Sequence, residues 1–185
     1  YTLSLHDALP IYKVTKAESM VDYVVERDEC NRPDTTLEGL AKLAPSFAAM
    51  ADMPLDAEGT TLRSLVLARY PGLNIEHVHH AGNSPATADG ASVVLLASPG
   101  AAARLGLQPR ARILATASVG VDHTLALTGA VQATQKALTK AGLHIEDIDL
   151  FEVNESFASL MLHYMKHLHV PHSKLNVNGG AIALG

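Results

Sequence analysis

Ile148-Asp-Leu-Phe-Glu-Val-Asn-Glu-Ser-Phe-Ala158 is the stretch on which the fold turns. Ile145 to Val153 leads into a strand, and at Asn154 the pattern changes from extended to helical. Asn154 is placed as an N-cap with Glu155 in the first turn, where an acid complements the helix dipole. Phe157, Met161, Tyr164, Met165 and Leu168 then recur on one face of a helix and form a buried stripe. A strand that feeds a helix in this way is the unit of a layered α/β domain with right-handed crossovers.

Asn154 is also the leading candidate for chemistry. Ligand groups in α/β sheets gather where strands end and helices begin. A carboxamide there can cap the helix, or it can hold a water and an oxyanion; the neighbouring residues leave both roles open. It cannot serve as a nucleophile. Glu152 and Glu155 flank it three positions apart, a spacing compatible with acid/base work but equally with opposed directions and one helix-terminal acid.

Upstream, Gly129 to Ala141 predicts a helix lined by Ala130, Ala133, Ala137, Leu138 and Ala141, with Gly142 as its C′ residue. Arg112 to Val119 reads as a strand. Before it, Ser98-Pro99 supplies a cap and an N1 proline for a helix over Ala101 to Leu105, which Gly106 stops. Ala91-Ser-Val-Val-Leu-Leu96 reads as a buried strand and Ile75 to His80 as another, joined through the turn Ala81-Gly-Asn-Ser-Pro85. Leu62, Leu65, Val66 and Arg69 mark a helix, and Asp34 or Thr35 caps a short one that ends at Pro45. Val21, Tyr23 and Val25 give a weak strand signal ahead of the charged run Glu26-Arg-Asp-Glu29. The order of the strands is not readable from the sequence.

Downstream, Asn176-Val-Asn178-Gly179-Gly180 joins short amides to two glycines free to adopt positive φ, so backbone N–H groups can converge on an anion or a carbonyl oxygen. Asn83 and Ser84 form a second polar turn, and Asp89-Gly90 organises a third. His77 and His79 share a strand face but lack a convincing third metal ligand. His163 and His167 share a helix face without any zinc-ligand cysteine, so a solvated or packing role is expected and no metal is assigned.

Cys30, the single cysteine, is flanked by Asp28 and Glu29, which oppose thiolate formation, so it is a poor nucleophile. It cannot form an internal disulfide, which suits a reducing compartment. There is no Gly-x-Ser-x-Gly elbow, Walker loop or dinucleotide glycine fingerprint. The 185 residues are 48% apolar, enough for a sizeable core, and carry a net charge of −5 with no basic tract. Nucleic acid and anionic membrane are therefore not expected partners. No apolar run approaches the roughly 20 residues of a membrane span. The abrupt ends, without an initiating Met and with an apolar run closing the chain, lead us to expect a piece of a larger protein.

Taken together, several segments resemble the thiolase family of acetyl-CoA acetyltransferases and 3-ketoacyl-CoA thiolases. They are Arg32-Pro-Asp-Thr-Thr-Leu-Glu-Gly-Leu-Ala-Lys-Leu43, Ala81-Gly-Asn-Ser84 with Asp89-Gly-Ala91, Gly120-Val-Asp122, Ile148 to Ala158, and Asn176-Val-Asn-Gly-Gly-Ala-Ile-Ala-Leu-Gly185. The last two are the most specific. The resemblance covers roughly residues 26 to 185, and the first dozen residues match nothing in the family.

The resemblance implies a partial thiolase superfold with layered α-β-α-β-α architecture and mixed sheets. Residues 1–80 would be a remnant of the inserted loop domain plus an uncertain N-terminal segment, 81–119 the last part of the N-terminal core half, and 120–185 an incomplete C-terminal domain. It implies acyl transfer between an active-site cysteine and CoA, with CoA and acyl-CoA as substrates and no tightly bound cofactor. Fatty-acid β-oxidation, a cytoplasmic location and a homodimer or homotetramer follow in the same way. Asn154, matching the family's Asn-Glu-Ala-Phe motif, would hold the water that supports the oxyanion hole. Asn83, Ser84, Phe157, Asn178, Gly179 and Gly180 would belong to the substrate or CoA pocket.

By the same resemblance, the nucleophilic cysteine would precede Tyr1, the catalytic histidine would directly follow Gly185, and a second cysteine would lie beyond it. Cys30 matches neither cysteine motif. Pro85 and Ala86 replace a serine and a glycine of the family turn, which puts its contact with the pantetheine arm in question. Prolines common in the family are missing from Gly129-Ala-Val-Gln132. The alternatives are a sterol-carrier-type thiolase-like protein and a non-catalytic acyl-CoA-binding protein.

Overall fold

The structure is a computed structural model that describes residues 11–16, 19–24, 26–28 and 30–185. The expected strand residue Val25, the acid Glu29 and the first ten residues lie outside the described residues. Strands β1 (Ile11–Lys16) and β2 (Ser19–Val24) pair antiparallel with Ile11 opposite Val24 and Lys16 opposite Ser19, so Val21 and Tyr23 do lie in a strand.

Among the described residues six α-helices follow: α1 (Leu37–Leu40), α2 (Leu62–Arg69), α3 (Pro99–Arg104), α4 (Gly129–Ala141), α5 (Ala158–Leu168) and α6 (Ala181–Leu184). Local sequence explains most of their ends. Thr61 and Ser64 close a reciprocal capping box on α2. Ser98 Oγ accepts from Ala101 N with Pro99 at the first turn of α3, and Gly106 leaves it with φ 65°. Gly142, at φ 68°, ends α4.

One cap differs from expectation by a residue or two. Thr36, not Asp34 or Thr35, caps α1, its Oγ1 accepting from Gly39 N at 3.1 Å. Thr35 is turned back onto the Arg32 carbonyl instead, and the helix stops at Leu40, well short of Pro45.

The expected strands over 75–80, 91–96 and 112–119 form no ladder among the described residues. An extended segment is a strand only when a neighbouring strand takes up its N–H and C=O groups in series; among the described residues the partners here are isolated, such as Ser46 N on His79 O and the Lys136 and Lys140 amines on the Ser118 and Thr116 carbonyls. Val93 is accordingly 95% exposed and Leu96 69% exposed, against the expectation of a buried strand. The run 145–153 keeps one trace of a parallel sheet, a bridge between Phe151 and Leu175 after a 3₁₀ turn over Ile145–Asp147. Phe151 N donates to Lys174 O at 2.8 Å, and Asn176 N donates to Phe151 O at 2.9 Å.

The core lies where α4 and α5 pack on this bridge. Val131, Phe151, Met161, Tyr164, Leu168, Val170 and Leu175 are buried together. Met161, Tyr164 and Leu168 realise the predicted stripe, and Met165 packs half-buried against it. On α4 the buried residue is Val131; the alanines Ala130, Ala133, Ala137 and Ala141 are half-buried, and their small side chains permit a close approach. Each large side chain removed from water here contributes on the order of 2 kcal/mol. Tyr164 is 2% exposed, and its hydroxyl shares a 2.9 Å hydrogen bond with Thr134, so its burial strands no polar atom.

Candidate functional site

Asn154 does not cap α5. The helix begins four residues later at Ala158, and its N-cap position is Phe157, which makes no side-chain cap bond. The Asn154 carboxamide turns instead to Ser156, donating from Nδ2 to Oγ at 3.2 Å, and remains exposed. A remote carbonyl serves the helix end: Ala158 N donates to Asn83 O at 3.0 Å. The physical consequence is that the Asn154 amide is not committed to holding the helix, and that the Asn83 turn is bound to the start of α5.

Asn83 itself is occupied. Its Oδ1 accepts from His80 N at 2.8 Å and its Nδ2 donates to Val78 O at 2.9 Å, closing the 78–83 turn. Ser84 Oγ lies 3.4 Å from the same Oδ1. Gly82 lets the turn pack against the α1 region, since a Cβ there would meet the side-chain ends of Leu40 and Leu43 and make them turn aside.

Phe157 sits in an aromatic cluster rather than in the α4–α5 core. Its ring meets Phe47 edge-on, with centroids 5.8 Å apart, and His79 at 4.7 Å. His79 Nε2 lies 2.8 Å from Ser159 Oγ, so this imidazole joins the turn to α5. His77 contacts Arg63, which is paired with Asp52. Among the described residues, no group of three His, Cys, Asp or Glu side chains gathers in metal-binding geometry.

The glycine turn reaches the same region from the C-terminal side. Gly179 N donates to Asn176 O at 2.9 Å, and Gly179 stands at φ 96°, so the positive φ anticipated for this turn falls on it. Gly180 is extended. Asn178 is exposed. Gly185 lies against Ala86 and Ala88, which brings the end of the chain to the loop that follows Ser84.

Two residues that the sequence placed beside the candidate site, but not in it, join its two loops. Asn176 Oδ1 accepts from Val153 N and its Nδ2 donates to Val153 O, both at 2.8 Å. Glu155 Oε2 accepts from Ile182 N at 3.0 Å, and Oε1 lies 3.4 Å from Asn176 Nδ2. Glu155 is therefore bound to the glycine segment rather than to the α5 helix end, while Glu152 is exposed. The signal was a pair of short polar residues in the two most distinctive segments, but only folding showed that they meet.

Asn154 also lines a cleft of about 140 Å³ with Thr128, Val131, Ser156, His163 and Tyr164 among its walls. His163 stacks on His167 with centroids 3.9 Å apart, and His167 Nδ1 donates to the His163 carbonyl at 2.8 Å. Burial first, then the neighbouring charges of His167 and Lys166, holds His163 below the ordinary histidine value. Asn178, Gly179 and Gly180 do not line this cleft. The Asn154 loop and the glycine turn are thus adjacent through Val153 and Glu155, while the Asn154 side chain faces the α4–α5 side.

Polar turns at the ends of extended segments, joined to a helical layer, place the chain among α/β folds, and solved structures of the same arrangement are enzymes of one family. Solved structures to which it is similar include the human mitochondrial 3-ketoacyl-CoA thiolase, at TM-score 0.71 and 38% identity over 89% of this chain and 35% of that one, and the Bacillus anthracis acetyl-CoA acetyltransferase, at 0.69 and 32% over 93% and 36%. Residues 107–185 match the thiolase C-terminal domain. The 3-ketoacyl-CoA thiolase of Saccharophagus degradans is 40% identical over 178 residues, covering 95% of this chain and 39% of that protein. That of Aliivibrio fischeri is 42% identical over 165 residues, covering 88% and 36%. The chain belongs to the thiolase family. It spans less than two-fifths of the length of these curated relatives.

Proposed function

We propose that the protein to which this chain contributes is a thiolase-type acyltransferase acting on CoA thioesters. It moves an acyl group between an active-site cysteine and CoA, cleaving a 3-ketoacyl-CoA or joining two acetyl-CoA molecules. The observation that carries this reading is the Asn154 carboxamide: it ends an extended run, is exposed, and is bonded only to Ser156 among the described residues. An amide so placed can hold a water against a thioester oxygen as negative charge develops there.

Support for CoA as the ligand comes from a human mitochondrial 3-ketoacyl-CoA thiolase solved in complex with CoA, which matches at TM-score 0.69 and 38% identity. In this chain the approach would run past Ser84, Phe157 and the Asn178–Gly180 turn. Asn83 supports that wall from behind, since its side chain is spent on Val78 and His80. No tightly bound cofactor is invoked. A homodimer or homotetramer and a cytoplasmic setting belong to the same reading; the latter suits a lone cysteine, and no helix among the described residues is long and apolar enough to cross a membrane.

The 185-residue chain alone is proposed to lack turnover, because Cys30 is the only thiol and matches neither family cysteine. The test is to incubate the complete gene product with acyl-CoA and look for an acyl-cysteine adduct by mass spectrometry. An adduct and turnover are expected, with Asn154→Ala lowering kcat by about 10²-fold to 10³-fold and changing KM little. Turnover by the 185-residue chain that survives Cys30→Ala, or no adduct on the complete product, overturns the reading.

A further inference from the structure

Glu155 is the point where three parts of the C-terminal segment meet. Its Oε2 takes the Ile182 N–H at 3.0 Å, its Oε1 faces Asn176 Nδ2 at 3.4 Å, and its carboxyl group fills the space that any side chain at Gly180 would need. Asn176 continues the connection by bonding both backbone groups of Val153, the residue just before Asn154. The two side chains thus tie residues 153–155 to 176–182 from both sides. We infer that Glu155 and Asn176 form a latch that positions the Gly179–Gly180 turn against the Asn154 loop, with Glu155 acting as a positioning residue and not as a general acid or base.

The physical reasoning concerns what each group can still do. Both oxygens of Glu155 face donors from the glycine segment, so this carboxylate is committed to aligning a backbone N–H rather than to carrying protons. Asn176 has φ 46°, a conformation asparagine tolerates, and this points its amide along the backbone of Val153 like one more residue of a sheet. Gly180 has no positive φ to explain it; its missing Cβ is explained by the carboxyl group beside it. The functional consequence, which rests on the acyltransferase reading, is that the placement of the glycine turn relative to the backbone that carries Asn154 depends on Glu155.

Amide hydrogen exchange on the 185-residue chain, followed by NMR, tests the latch without any activity. Glu155→Ala is expected to speed exchange at Ile182 N–H by about tenfold or more, while the Leu168 amide in the core stays unchanged. Glu155→Gln, which keeps one acceptor, should lose less. Gly180→Ala should speed exchange at Ile182 on its own, and adding Glu155→Ala should bring no further loss, because the overlap is then relieved. Exchange at Ile182 within about twofold of wild type in Glu155→Ala, or losses that simply multiply in the double variant, would refute the latch. In the complete gene product, Glu155→Ala should lower kcat about tenfold with KM moving less than about twofold, and Glu155→Gln should recover part of it. An inactive wild-type product would defeat the acyltransferase reading and leave the exchange result to judge the latch; equal kcat in wild type and Glu155→Ala would defeat the positioning role alone.

Discussion

Asn176 makes both hydrogen bonds of a sheet pair with the backbone of Val153, accepting from its N–H and donating to its carbonyl, each at 2.8 Å. A side chain thereby replaces a strand. Truncating it leaves two backbone groups without partners, at about 1 kcal/mol apiece, so Asn176→Ala should destabilise the protein by roughly 2–3 kcal/mol once the strain of alanine at positive φ is added. Asn176→Gly removes the amide without that strain and should cost less than alanine. Urea unfolding midpoints of the two variants measure both terms, and a loss below about 0.5 kcal/mol in each would contradict the pairing.

Tyr164 and Thr134 supply a second test, in the core between α4 and α5. Tyr164→Phe keeps the ring packed against Phe151 and deprives only the Thr134 hydroxyl, for about 1 kcal/mol. Tyr164→Ala also opens a cavity and should cost about 3–5 kcal/mol. Thermal unfolding that ranks the variants in any other order would remove Tyr164 from the centre of the core.

The acid side of the stability profile should depend on Asp122. Hydrogen bonds from Thr124, followed by Arg69, hold its carboxyl below the ordinary aspartate value. With the folded value depressed, its stabilisation is present above about pH 4 and is lost as pH falls through the folded value. Asp122→Asn should flatten that part of the melting-temperature profile while leaving the shape near neutrality unchanged.

His163 should act at milder pH. Its folded value is also depressed, chiefly by burial, so the neutral imidazole is favoured and its effect on stability is absent above about pH 6.5. Stability should fall as pH drops from there through the lower folded value, because the unfolded chain takes up the proton first. His163→Gln should reduce the drop in melting temperature between pH 7.5 and pH 5.5, and an unchanged drop would rule out this source.

Gly142 and Gly180 separate two reasons for glycine. Nothing lies within 4 Å of a Cβ at Gly142, but its φ is 68°, so Gly142→Ala should cost about 1–2 kcal/mol from backbone strain alone. No neighbouring substitution should rescue it, in contrast to Gly180→Ala beside Glu155→Ala. Paired unfolding measurements on the two alanine variants check the distinction.

What could be read along the chain was whatever depends on near neighbours. Ser98-Pro99, Gly106, Gly142 and the 161/164/168 stripe all came through, because caps, positive φ and helical spacing act over one or two turns. The thiolase resemblance was legible for a similar reason, being carried by continuous segments at 148–158 and 176–185. The tertiary structure decided the rest. Whether 91–96 and 112–119 become strands depends on a partner that accepts their hydrogen bonds, and Val93 at 95% exposure shows that an apolar run does not bury itself. Asn154 reads as a cap until a distant carbonyl, that of Asn83, takes the start of α5, and Glu155 reads as a helix-terminal acid until the chain returns 27 residues later to offer it Ile182 N–H. Hydrogen-bond partners separated by that much chain are chosen by the fold as a whole, so no local pattern announces them.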